Sequence, residues 1–113
     1  MSDIKIRSAE GTWVVRAGGA VLGESRNALE LSEDGYPDVI YFPREDIATA
    51  FLDESDRTSH CPHKGDASYY SIVTKSRTID DAAWSYENPL DGMERIKGYL
   101  AFHGNDDVTV ERV

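Results

Sequence analysis

The chain has 113 residues, of which 40% are hydrophobic and 29% are charged, and its formal net charge is −9. These proportions are typical of a globular protein, and we expect residues 1–113 to form a single domain with its own core. The excess of acidic residues disfavours binding to a phosphate backbone, because that affinity comes from clustered Lys and Arg. We therefore expect no nucleic-acid partner.

The sequence also predicts no membrane partner. No apolar run approaches the ~20 residues that cross a bilayer. The first residues are polar and lack the apolar core of a secretory signal. Cys61 is the only cysteine, which excludes an internal disulfide and a paired-cysteine zinc site. We expect a cytoplasmic protein, and the oligomeric state is left open.

Short extended segments dominate the chain from its beginning. Residues 12–17 and 20–24 flank Gly18 and Gly19. Because glycine tolerates the positive φ of a tight two-residue turn, this pattern predicts a β-hairpin. Apolar composition and neighbouring turn residues predict further strands. These are at residues 27–31, 39–42, 57–60, 67–74, 82–86, 98–103 and 108–113.

One helix is predicted at about residues 43–52. Pro43 suits the first turn of a helix, where its missing N–H costs nothing. Ile47, Ala50 and Phe51 share one face at i, i+3, i+4 spacing, which is typical of an amphipathic helix. One more helical turn is predicted at residues 93–96. The whole pattern predicts a mainly β, antiparallel fold with one short helix.

The segment at residues 59–65, Ser-His-Cys-Pro-His-Lys-Gly, predicts a functional site. Imidazoles and an ammonium close to a thiol favour the thiolate, which attacks electrophiles or binds metals. In an extended strand Cys61 and His63 point to one side, so His63 is the candidate base for Cys61. His60 is then free to face the core. Cys61 and His63 are therefore the candidate catalytic residues.

Two other readings of this segment are available. The first is that Cys61, like most free cysteines, is a small buried hydrophobic residue. A metal site made of His60, Cys61 and His63 is disfavoured, because neighbouring residues cannot readily surround a tetrahedral ion. The chain also lacks a phosphate-binding loop and a dinucleotide fingerprint. We expect neither a metal nor a cofactor.

Candidate ligand-binding residues are cationic or aromatic. Lys64, before the flexible Gly65, and Arg44 are potential anchors for an anionic group. Aromatic residues are concentrated after Cys61, and Tyr70, Trp84 and Tyr86 are the candidates for the wall of a cleft. The alternative is that these rings fill the core of a small β domain.

Four ordered blocks, at residues 41–47, 61–70, 82–86 with Pro89, and 98–102, resemble the bacterial family called domain of unknown function 427. The resemblance implies a β-tent fold, in which two antiparallel sheets meet at an angle. This fold is similar to methionine sulfoxide reductase B and to the cereblon ligand-binding domain. It also implies that a shared set of residues belongs to a pocket: Cys61, Lys64, Tyr70, Trp84 and Tyr86.

The same resemblance limits the chemistry. The β-tent relatives commonly hold zinc through two Cys-x-x-Cys pairs, and a chain with one cysteine cannot do so. The family is also labelled nucleotidyltransferase-like. However, this sequence has no Gly-Ser followed by a spaced Asp-x-Asp pair that would hold catalytic magnesium.

These patterns favour a domain that binds a small molecule in an aromatic and cationic cleft near Cys61. One alternative is an enzyme in which Cys61 is a nucleophile or redox centre. Another is an adaptor that binds proteins and carries out no catalysis. The sequence leaves open whether the protein is an enzyme.

Overall fold

A computed structural model describes residues 3–113, and it confirms the mainly β, antiparallel fold. The described strands are β1 (Ile4–Ser8), β2 (Trp13–Ala17), β3 (Ala20–Ser25), β4 (Leu29–Glu33), β5 (Val39–Tyr41), β6 (Leu52–Cys61), β7 (Gly65–Val73), β8 (Thr78–Ser85), β9 (Ala101–Phe102) and β10 (Val108–Arg112). Each predicted strand segment overlaps one of these strands. β1 was not predicted, because its two isoleucines alternate with charged residues in a very short segment.

The strands form three sheets, in the orders β1-β4-β5, β10-β2-β3 and β6-β7-β8-β9. The first and third sheets are joined edge to edge by one bridge between Phe42 and Leu100. The two residues exchange backbone hydrogen bonds of 2.8 and 2.9 Å. The structure therefore has three sheets, of which two are connected, where the resemblance implied two sheets.

The predicted hairpin is confirmed at β2 and β3. Ala17 pairs with Ala20 across the turn. Gly18 and Gly19 have φ values of 55° and 83°, in the region that residues with a Cβ rarely adopt. The two glycines thus allow the tight turn that connects these strands.

The prediction of a helix at about residues 43–52 is wrong. Two separate 3₁₀ turns, Arg44–Asp46 and Thr49–Phe51, occupy this segment. Ile47 lies between them in extended conformation, with φ −110° and ψ 138°. Ile47 forms a bridge with Gly23 of β3, and a Cβ on Gly23 would lie 2.6 Å from the carbonyl oxygen of Asp46. Pairing with the hairpin therefore outweighs the helical spacing.

The buried side chains form two clusters. The larger one includes Val15, Leu22, Phe42, Ile72 and Leu100, and it joins the hairpin to the four-stranded sheet. The second cluster lies between the first and third sheets and borders the cleft described below. Its members are Leu29, Leu31, Tyr41, Ala67, Tyr69, Tyr86, Ile96 and Ala101.

Two smaller observations complete the fold. The helical turn predicted at residues 93–96 is confirmed as the 3₁₀ turn Glu94–Ile96, whose Ile96 is fully buried. Within residues 3–113, no helix has the length and apolar character that crossing a membrane requires.

Candidate functional site

A cleft of about 890 Å³ opens beside the second core cluster. Residues from each of the strands β4 to β9 line it, together with the connections between β4 and β5 and between β6 and β7 and the segment that follows β9. Six of the lining residues are aromatic: Tyr36, Tyr41, Tyr69, Trp84, Tyr86 and Phe102. Cavities of this size and composition are typical of sites for small molecules.

The turn between β6 and β7 brings Cys61 and Lys64 to the cleft. Strand β6 ends at Cys61, and the Lys64 N–H donates to the Cys61 carbonyl at 3.3 Å. The Lys64 carbonyl in turn accepts a hydrogen bond from the Leu90 N–H at 3.0 Å. Gly65 follows with φ 109°, which a residue with a Cβ rarely adopts. These contacts fix the direction of both side chains.

Lys64 and Glu33 form a buried ion pair at the cleft. The Lys64 Nζ donates to Glu33 Oε1 at 3.1 Å, and the two side chains are only 12% and 9% exposed. Burial alone would lower the pKa of Lys64. The hydrogen bond to Glu33 and the neighbouring Cys61 thiol outweigh burial, and the net effect is a raised pKa. Lys64 is therefore a cation whose charge is balanced within the protein.

Aromatic rings in mutual contact form the opposite wall. The His103 ring lies 4.4 Å from the Trp84 ring and is stacked on Tyr69 at 6.3 Å. Tyr41 meets Trp84 edge to face at 6.5 Å, and the Trp84 Nε1 donates to the Tyr41 hydroxyl at 3.4 Å. This wall is held by ring–ring contacts on several sides, so it is a preformed surface.

Three titratable side chains at the cleft, Tyr41, Tyr86 and His103, are neutral near pH 7. Burial raises the pKa of Tyr41 to about 12, although the hydrogen bond from Trp84 opposes the shift. Burial, reinforced by Cys61, likewise raises the pKa of Tyr86 to about 12. The pKa of His103 is lowered by burial and by the charge of Arg57. The wall thus offers phenol hydroxyls and a neutral imidazole as polar contacts.

The histidines that flank Cys61 are both exposed. The His60 side chain is 67% exposed, and its Nδ1 lies 2.7 Å from Asp66 Oδ1, so the expectation that it faces the core is wrong. The cause is the register of β6 and β7, which pairs His60 with the exposed Asp66, and His60 also lines the cleft. His63 lies in the turn, at the rim of the cleft. Within the described residues, no hydrogen bond joins His63 to Cys61.

Arg44 and Tyr70 lie outside the cleft, in a separate cluster around Glu87. Arg44 donates to Glu87 Oε1 at 2.8 Å, to Ser85 Oγ at 3.3 Å and to the Gly98 carbonyl at 3.0 Å. The Tyr70 hydroxyl donates to the same Glu87 oxygen at 2.7 Å, and the guanidinium lies 5.6 Å from the Tyr70 ring centre. This cluster ties β7 and β8 to the segments beside them.

The structure therefore brings five of the seven predicted site residues to one cleft: Cys61, His63, Lys64, Trp84 and Tyr86. Strand alternation explains why Tyr70 is elsewhere. Its neighbour Tyr69 pairs directly with Trp84, so Tyr69 shares the cleft face and Tyr70 faces the opposite side.

Sequence reasoning missed three residues that shape the cleft. Glu33 is 31 positions from its partner Lys64, and nothing local marked it as different from the other surface acids. His103 is the last residue of the strand predicted at residues 98–103, and nothing in its neighbourhood marked it as a cleft residue. Tyr69 was detectable, since it adjoins Tyr70 in an alternating strand, but the sequence does not tell which tyrosine faces the cleft.

The fold and the cleft define an antiparallel β protein with an aromatic-walled cavity and a buried lysine–glutamate pair. Within residues 3–113, no three His, Cys, Asp or Glu side chains converge as they do around a metal ion. The family model described as "Domain of unknown function (DUF427)" matches residues 5–113, and the chain belongs to this family. The family's short label carries the nucleotidyltransferase name. No curated protein matches the chain.

Proposed function

We propose that this protein binds a small molecule in the cleft beside Cys61. The observation that supports the proposal most strongly is the lining of the cleft. A preformed aromatic wall faces a few convergent polar groups, and the volume of about 890 Å³ suits a metabolite-sized ligand. In this proposal Trp84 and Tyr86 contact the body of the ligand, and Lys64 and Cys61 contact its polar edge.

The charges at the cleft favour an uncharged ligand with a planar or apolar body. Glu33 already balances the ammonium of Lys64, so a negatively charged ligand would have to compete with a buried carboxylate. Lys64 still has further N–H groups with which to donate a hydrogen bond to a carbonyl or ring nitrogen. Arg44 makes three hydrogen bonds within the protein and, like Tyr70, lies outside the cleft, so we assign Arg44 and Tyr70 a structural role.

A thermal-shift screen of neutral metabolites tests this proposal. A ligand that binds only the folded state stabilises it by about 2.7 kcal/mol at a concentration one hundred times its Kd. We expect hits whose shift is lost in Trp84→Leu and reduced in the double variant Glu33→Leu with Lys64→Met. Lys97→Met is the matched control, because Lys97 is exposed and lies outside the cleft. A broad screen without any shift would contradict the proposal and favour an adaptor.

A cysteine-dependent enzyme is the second candidate, and the position of Cys61 favours it. Its thiol lines the cleft, half-buried, and it is one of the groups that raise the pKa of Lys64. A neighbouring ammonium favours a thiolate nucleophile, and His63 at the rim would act as the base.

The rate of Cys61 alkylation by iodoacetamide, measured from pH 5 to 9, separates the two candidates. The reference is the same protein unfolded in urea, whose thiol has an ordinary pKa of ~8.5. The enzyme candidate predicts a folded-state rate that persists below pH 7 and falls in Lys64→Met. A folded-state rate that follows the unfolded reference would remove this candidate and leave the binding proposal intact.

A further inference from the structure

A second cavity of about 320 Å³ adjoins the first one. The two cavities share four wall residues: Val39, Trp84, Phe102 and Gly104. Because Trp84 belongs to both walls, the cavities are neighbouring parts of one groove on the molecular surface. The second cavity differs from the first in its charge.

Carboxylates and aromatic rings line the second cavity. Trp13 of β2 adds a second indole to that of Trp84, and Phe102 adds a phenyl ring. The charged residues among its described lining are Glu30 and Asp38, and none is Lys or Arg. The first cavity, by contrast, is lined by a Lys and a Glu whose charges balance each other.

The carboxylate of Asp38 keeps the second cavity negative. Glu30 Oε1 accepts a hydrogen bond from the Arg7 Nε at 2.8 Å, so much of its charge is compensated. Among residues 3–113, no basic side chain forms a salt bridge with Asp38. The net charge of −9 adds a long-range field that attracts cations to the surface.

We propose that the second cavity is a binding site for an organic cation, of the class of alkylated ammonium groups. Indole rings are the best aromatic partners for such cations, and a nearby carboxylate adds Coulomb attraction. Methyl groups around the nitrogen suit the apolar contacts that Val39, Ile40 and Val110 provide. A hard metal ion is a poorer match, because calcium takes six to eight oxygen ligands and the lining supplies two carboxylates. This proposal does not rest on the proposed function of the first cavity.

A titration with choline and with its neutral isostere 3,3-dimethylbutan-1-ol tests the proposal. The readout is the pair of indole N–H signals of Trp13 and Trp84 in an ¹H–¹⁵N spectrum at constant ionic strength. We expect choline to shift both signals saturably and the neutral isostere to bind about fivefold or more weakly. Equal affinities for the two probes would overturn the proposal. So would indole signals that do not move at tens of millimolar choline.

Two variants that each remove one negative charge test whether choline is attracted by Asp38 itself. Asp38→Asn is expected to weaken choline binding about threefold or more. Asp34→Asn is the matched control, because Asp34 is also exposed, lies in the same connection between β4 and β5, and is outside both cavities. Equal losses in both variants would mean that only the overall negative charge of the protein attracts the cation. That result would overturn the proposed binding site.

A third variant distinguishes binding in the second cavity from binding in the first. The double variant Glu33→Leu with Lys64→Met changes the first cavity alone. We expect it to leave choline binding unchanged while it weakens any ligand of the first cavity. A loss of choline binding in this variant would place the cation in the first cavity and would contradict the assignment.

Discussion

Two ion pairs in this protein each contain a cation that the sequence analysis predicts as a site residue, Lys64 in one and Arg44 in the other. In each pair the carboxylate partner was not predicted. Lys64 and Glu33 are 3.1 Å apart, and their side chains are 12% and 9% exposed. Arg44 and Glu87 are 2.8 Å apart, and their side chains are 38% and 39% exposed. The first pair lies at a cleft, and the second belongs to a cluster that connects strands.

The difference shows that burial and position at a cavity, not charge alone, separate a candidate site from a structural contact. Arg44 donates to three acceptors within the protein through Nε and Nη2, and it lies outside both cavities. Lys64 uses one donor on Glu33, and its other N–H groups lie at a cavity. A buried pair is also costly to break, whereas an exposed pair contributes little on its own.

The largest effect is expected when only one residue of the buried ion pair is replaced. Glu33→Leu leaves the Lys64 ammonium without its carboxylate, and we expect it to lower the free energy of unfolding by about 3 kcal/mol. Urea denaturation at pH 7 measures the change.

The control for that experiment is the double variant Glu33→Leu with Lys64→Met. It replaces both charges by apolar side chains, so we expect most of the lost stability to return. If the double variant is as unstable as the single one, the loss comes from packing around residue 33 and not from an unpaired ammonium.

Alkaline pH is expected to produce the next largest loss of stability. The pKa of Tyr86 is raised by burial and by Cys61 from 10.0 to about 12, and burial does the same for Tyr41. Each phenol thus contributes stability that is fully present below pH 10 and is lost as the pH rises through about 12. Lys64, whose pKa is also raised, loses its contribution in the same direction.

Urea unfolding of the wild type and Tyr86→Phe between pH 8 and pH 12 measures this loss. We expect Tyr86→Phe to remove roughly 2 kcal/mol of the alkaline decrease. Tyr36→Phe is the control, because Tyr36 lines the same cleft but is exposed. An identical decrease in the wild type and in Tyr86→Phe would show that the Tyr86 phenol is not protected by burial.

A smaller effect is expected in the exposed cluster. Arg44→Lys keeps the charge but cannot reproduce the contacts with Gly98, Ser85 and Glu87 together. We expect a loss of about 1 kcal/mol in the free energy of unfolding and no change in the affinity of cleft ligands. A large loss of affinity without a loss of stability would instead make Arg44 a ligand contact.

The smallest effect concerns His103. Burial and the charge of Arg57 lower its pKa, so its contribution to stability is present above pH 6.5 and is lost as the pH falls through the lowered value. An NMR titration of the imidazole should show this lowered pKa, and Arg57→Gln should raise it again. The assignment would fail if the imidazole titrates at the ordinary value of a free histidine.

The elements that a local pattern determines could be predicted from the sequence. Gly18 and Gly19 between two apolar segments specify the β2–β3 hairpin, because the turn depends on those two residues alone. The helical spacing around Ile47 was misleading. Its backbone pairs with Gly23, and this contact across the fold is invisible in a local window.

The candidate site also has residues that a local pattern predicts and residues that only contacts across the fold bring together. Cys61 and Lys64 are three positions apart in one turn, so their proximity could be predicted. Glu33 could not be identified, because the register of separate sheets decides which surface acid reaches Lys64. Tyr69 and Tyr70 show the same limit, since a one-residue shift in register would exchange their faces.

The central claim is that a small molecule occupies the cleft between the aromatic wall and the Lys64–Glu33 pair. The most direct test is an ¹H–¹⁵N titration of the wild type with the best neutral hit from the thermal-shift screen. We expect the indole signal of Trp84 and the backbone signals of residues 61–64 to shift saturably, with the Trp13 indole unchanged. Shifts confined to residues outside the cleft, or none in this set, would contradict the claim.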